Sequence, residues 1–155
     1  MAINVDPAKA KGEAKTVTIS ETGNGKWENI ASASGHELVG DQPKPIGKDA
    51  GPGPYDYMAM ALGLCTNQTL RMYADKKRLP VTRISSTIRY DKIHVEDCED
   101  CAADKTGKAL AFFREIEIEG ELEAGVRERM LEIADMCPVH KALEGTTQIK
   151  SSLIG

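Results

Sequence analysis

The sequence predicts an α+β fold, with largely antiparallel strands and helices on one face of the sheet. Three observations carry that expectation. Apolar residues recur at every second position in several short stretches, and at intervals of three and four in two longer ones. The order along the chain is a run of strands, a long helix, two strands, a second helix and a last strand, not a strict strand–helix alternation. Finally, 155 residues with 41% hydrophobic and 28% charged side chains suit a single domain that buries its own core without disulfides or metal, which excludes a disordered chain.

Residues 1–14 read as a flexible polar arm in which lysine alternates with alanine; with no apolar h-region there, no signal peptide is expected. Thr16-Val17-Thr18-Ile19-Ser20 is β-branched and alternating, hence a strand. Gly23-Asn24-Gly25 is a turn signal, residues 27–33 are the returning strand, and Ser34-Gly35 turns the chain into a third strand over 36–39. Residues 40–54 hold four prolines and four glycines, a density no regular element survives. A loop this long is either a plain connector or functional.

Pro54 can open a helix, and the pattern from Tyr55 is helical to Lys77. Met58, Ala61, Leu62, Cys65, Thr69, Met72 and Tyr73 form one apolar stripe; Met60 and Leu64 lie off it, so the first turns are apolar nearly all round and a helix covered on several sides is expected. After Pro80 the period becomes two. Ile84, Ser86, Ile88 and Tyr90 share one face and Arg83 and Arg89 the other. Residues 94–108 read as an acidic loop, and 112–119 as the partner strand, with Ile116 and Ile118 inward and Glu115, Glu117 and Glu119 outward. Antiparallel pairing would put the arginines and glutamates on one solvated face. Residues 121–136 form a second amphipathic helix whose stripe runs from Leu122 through Met130 and Ile133 to Cys137; Pro138 ends it or starts a short helix, and 147–153 alternate as a last strand.

The net charge of −4 argues against a nucleic-acid partner, which needs a basic footprint. The longest apolar run, residues 57–65, is 9 residues against the ~20 that cross a bilayer, so no membrane partner is expected and a cytoplasmic location is. In a reducing cytosol the four cysteines are thiols, for packing, metal binding or redox chemistry. Cys65 and Cys137 both fall on apolar helical stripes. They are either small core residues or a pair that meets where the helices share a core. Cys98 and Cys101 form a C-x-x-C in the acidic loop. That is half a zinc site, to which His94 and Asp97 or Glu99 could add ligands; a reversible disulfide and plain surface thiols are the other readings. His36 reads as surface, and His140 as a cap or packing residue after Pro138.

Gly53-Pro54-Tyr55-Asp56, then Ala61-Leu62-Gly63-Leu64-Cys65-Thr66, then Ala134-Asp135-Met136-Cys137-Pro138-Val139-His140 together resemble the OsmC/Ohr family of hydroperoxide-handling proteins. The likeness covers most of the chain from Thr16 on. Asp97-Cys98-Glu99-Asp100-Cys101 adds a resemblance to its YhfA-type branch. The resemblance implies an intertwined homodimer and thiol-dependent reduction of organic hydroperoxides in oxidative or osmotic stress, with no cofactor. Cys65 would be the peroxidatic thiol and Cys137 the resolving one, with an external dithiol as reductant. Tyr55, Met58, Leu62 and Phe112 would line the substrate's apolar walls. A free thiol is mostly protonated at neutral pH, and the helix dipole fades within one turn, so a cation is needed. The family's pattern implies an arginine from the N-terminal hairpin held by a glutamate at the helix start. This chain has no arginine before Arg71; Lys26 is the nearest substitute, and Asp56 stands at the acid's place. Lysine lacks the bidentate fork. Lys26 also reads as an ordinary solvated hairpin lysine and Asp56 as a first-turn acid. The alternative function is a non-enzymatic redox sensor or a binder of small hydrophobic ligands.

Overall fold

The computed structural model of the protein describes residues 15–94, 107–145, 147, 149 and 151–153. It is α+β, with two antiparallel sheets and three helices among the described residues. The chain divides into two compact units, Met1–Tyr57 with Ala142–Gly155, and Met58–Lys141.

In the first unit, β1 (Val17–Glu21), β2 (Asn29–Ala33) and β3 (His36–Gly40) form a meander in the order β1-β2-β3. Ala33 pairs with His36, which leaves a two-residue turn at Ser34 and Gly35. Both have positive φ, 51° and 81°, the hand that matches strand twist. The registers Ile19↔Ala31 and Ala31↔Leu38 set an apolar row across one face, with Val17 and Ala33 beside it. Residues 41–53 are irregular, as their prolines and glycines require. The buried Asp41 organises them: its carboxylate accepts the backbone N–H groups of Gln42 at 2.8 Å, Lys48 at 3.0 Å and Ala50 at 3.1 Å. These donors, Ala50's first, hold the carboxyl below the usual carboxylate value against the opposing pull of its burial.

Helix α1 (Pro54–Lys77) opens with proline in its first turn. The Asp56 carboxylate reaches back to the Gly53 N–H at 2.8 Å, one arm of a capping box. At the far end Leu79 N–H bonds Ala74 O at 2.9 Å and Arg78 N–H bonds Asp75 O at 3.1 Å, a Schellman closure with Arg78 at φ 52°.

In the second unit, β4 (Val81–His94) pairs antiparallel with β5 (Lys108–Gly120). The expected solvated face is present: Arg83 lies 3.2 Å from Glu119, Arg89 3.5 Å from Glu115, and Ser85 3.4 Å from Glu117. Helices α2 (Ala124–Asp135) and α3 (Pro138–Glu144) follow. The core joins Leu70 and Ala74 of α1, Val81, and Met130, Ile133 and Ala134 of α2, with Ile84, Ile116 and Ile118 packed against it. No helix among the described residues is long and apolar enough to cross a membrane.

Three expectations are corrected. The buried face of α1 is Ala59, Leu62, Gly63, Thr66, Leu70 and Ala74, one residue or about 100° round from the expected stripe. Small side chains decide this: at Gly63 an added Cβ would stand 3.3 Å from Ile88 Cγ1, so the helix closes onto β4 there and no bulkier residue fits without a shift. Met60, Leu64 and Met72 are left 52%, 62% and 65% exposed, so this helix face is bare in the single chain. Second, α2 ends at Asp135, and Cys137 precedes α3 instead of closing the α2 stripe. Third, none of the described residues in 147–153 belongs to a strand, and Ile149 and Leu153 are exposed.

Candidate active site

The two redox candidates of the helices both lie in the second unit. Cys65 is half-buried on α1, beside its buried face, and Cys137 is 0% exposed. Both are free thiols. Cys137 stands where α3 begins. Its carbonyl accepts the Lys141 N–H at 3.1 Å, and its Sγ accepts the His140 N–H at 3.3 Å, as a capping side chain does. The same sulfur lies 3.9 Å from the Thr66 hydroxyl. Thr66 directly follows Cys65 on α1, so the fold seats the second cysteine against the first one's neighbour.

A charge lies behind these residues. Arg114 of β5 has a side chain only 10% exposed. Its Nη1 donates to Thr66 Oγ1 at 2.9 Å and to Ala134 O at 3.3 Å, and its Nη2 donates to Asp135 Oδ1 at 2.6 Å. The same carboxylate oxygen is 3.8 Å from His140 Nδ1. The fork thus spans α1 and the last turn of α2, where a cation also suits the helix's carbonyl end. Sequence reasoning passed over Arg114. Its signal was the period of two: from Ile118 and Ile116 inward, the next position on that face is Arg114, a lone charge on an apolar row.

The other expected site residues fall as follows. Leu62 is buried in α1, Met58 is half-buried on it, and Phe112 is half-buried on β5 with its ring 6.1 Å from that of Tyr90. Tyr55 and Asp56 belong to the first unit, Tyr55 partly exposed and Asp56 capping α1. Lys26 is also in the first unit, its Nζ 5.2 Å from the centre of the Trp27 ring. His94 is the last residue of β4, not a loop residue, while Cys98 and Cys101 lie outside the described residues. Among the described residues, no group of three or more His, Cys, Asp and Glu is arranged to hold a metal.

Residues 47–152 match the family model of the OsmC-like proteins. The chain belongs to the OsmC family. Solved structures agree on the OsmC-like fold. An OsmC-like protein from Mycoplasma pneumoniae is 16% identical, with a TM-score of 0.66 over 86% of this chain and 89% of that one. An organic hydroperoxide resistance protein OsmC from Legionella pneumophila is 17% identical, with a TM-score of 0.61 over 86% and 91%. One from Elizabethkingia anophelis, an organic hydroperoxide resistance protein, is 16% identical, with a TM-score of 0.65 over 88% and 91%. No curated protein sequence matches this OsmC-family chain significantly.

Proposed function

We propose that this OsmC-family protein reduces organic hydroperoxides through Cys65 and Cys137. The observation that carries the reading is the contrast between a half-buried Cys65 and a fully buried Cys137 whose sulfur packs on the adjacent Thr66. An attacking thiol needs access to its substrate, and a resolving thiol is protected by having none. The Cys65 thiolate attacks the outer peroxide oxygen, the O–O bond breaks, and the alkoxide takes a proton to leave as alcohol, with Cys65 as sulfenic acid. Cys137 then attacks the Cys65 sulfur, the S–O bond breaks, and water leaves with the thiol's proton. A dithiol restores both thiols by two exchanges and is itself oxidised to a disulfide.

The protein acts as a homodimer in a reducing, cytosolic compartment. Two bare apolar surfaces support dimerisation: Met60, Leu64 and Met72 on α1, and Val17, Ile19 and Leu38 along a groove of about 610 Å³ on the meander. By the family resemblance Lys26 takes the role of the hairpin arginine, the activating cation, and Asp56 that of the helix-start acid. By the same resemblance Tyr55, Met58, Leu62 and Phe112 are the substrate-binding residues.

Reduced protein given cumene hydroperoxide and a dithiol should consume peroxide over many turnovers, and Cys65→Ser should abolish it. One oxidation of Cys65 without further turnover would instead favour a redox sensor or binder of hydrophobic ligands. That second reading is supported by Lys26 lying over Trp27, since a lysine held on an indole face is a weaker activator than a free arginine fork.

A further inference from the structure

We infer that Arg114 is a positioning residue for the resolving step, holding the Thr66 hydroxyl against Cys137 and fixing the α2–α3 junction that carries that cysteine. The inference rests on the peroxidase reading and deepens it.

A guanidinium this deep in an apolar face is costly unless every direction it points in meets an acceptor. Arg114 meets three, and they come from positions far apart in the chain: Thr66 on α1, and Ala134 and Asp135 at the end of α2. Beyond each lies part of the cysteine pair. Thr66 is the residue after Cys65. Asp135 is two before Cys137, and its carboxylate also lies against the ring of His140, whose backbone N–H is bonded to the Cys137 sulfur.

The Thr66 hydroxyl has one proton and two acceptor sites. Arg114 occupies one acceptor site at 2.9 Å, and the Leu62 carbonyl, at 2.7 Å, takes the proton. The Cys137 sulfur, 3.9 Å from the same hydroxyl, is the second acceptor that this proton can reach. When Cys137 loses its proton to attack the sulfenate, the hydroxyl can turn its own proton from Leu62 to the sulfur. The His140 N–H bonds the sulfur throughout, and Arg114 keeps Oγ1 fixed in both states. The step balances as Cys65–SOH plus Cys137–SH giving the disulfide and one water. A lysine at 114 would present a point charge and could not bond Thr66 and Asp135 from two nitrogens of one rigid plane.

The test measures two rates after one equivalent of cumene hydroperoxide: appearance of the Cys65 sulfenate, trapped with dimedone, and formation of the Cys65–Cys137 disulfide by mass mapping. In Arg114→Gln and Arg114→Lys the ratio of disulfide formation to sulfenate formation should fall by about tenfold to a hundredfold, as misplaced reacting groups do. Thr66→Val should lower the same ratio and Thr66→Ser should restore it. An unchanged ratio in the Arg114 variants, or equal ratios in Thr66→Val and Thr66→Ser, overturns the role of Arg114. If the arginine variants do not fold, the threonine pair decides alone. If the wild-type protein makes no disulfide, the peroxidase reading itself falls, and this role with it.

Discussion

Asp41 and Arg114 are both secluded charges, each held by three hydrogen bonds, and they do different work. The partners of Asp41 are backbone N–H groups at most nine residues away, so the carboxylate ties one loop to itself. The partners of Arg114 are 20 to 48 residues away, on two helices that lead to the two cysteines. Sequence distance thus separates a charge that shapes a local turn from one that registers distant elements. Only the second kind can couple a fold to a reaction requiring two side chains from different elements.

Three changes sharpen the contrast. Arg114→Leu should be the most damaging: it strips charge-assisted bonds from a secluded site and should cost about 2–3 kcal/mol in urea unfolding. A loss near zero would mean that the fork does not join the helices. Gly47→Ala strikes the Asp41 loop, since its Cβ would come within 2.1 Å of Gln42 O and 2.7 Å of Asp41 Oδ1. A cost of about 1–2 kcal/mol is expected, with the ratio of disulfide to sulfenate formation unchanged. A change in that ratio would show that the loop is not merely local.

The smallest effect is in acid. The Asp41 carboxyl titrates lower folded than unfolded, so its contribution is full above the unfolded value of about 3.9 and disappears as pH falls through the lower folded value. Asp41→Asn should therefore narrow its stability deficit relative to wild type as the pH falls below about 4. A deficit that stays constant as the solution is acidified below that value would contradict the assignment.

Much of the fold was legible because local chemistry and tertiary structure agree in it. Ser34-Gly35 demands a tight turn, Pro54 and Pro80 bracket α1, and the alternation of arginine against glutamate fixes the β4–β5 register. The face of α1 was not legible. Its first turns are apolar nearly all round, so periodicity left the direction open, and the fit of Gly63 against β4 decided it. Alternation over 147–153 suggested a strand, but a strand needs a partner, and local pattern cannot supply one. In the site, Cys65 and Cys137 were found from stripes and motifs. The contact of Cys137 with Thr66 was not, because it depends on where α2 stops and how α3 begins. Arg114 was hidden among outward charges, although its position in the alternation marked it as inward.

The most direct test of the central claim is the state of the four cysteines after reduced wild-type protein meets one equivalent of cumene hydroperoxide. Peptide mapping should find Cys65 joined to Cys137, with that disulfide lost again on adding a dithiol. Cys65 left as a thiol, or oxidised while Cys137 stays free, would contradict the account.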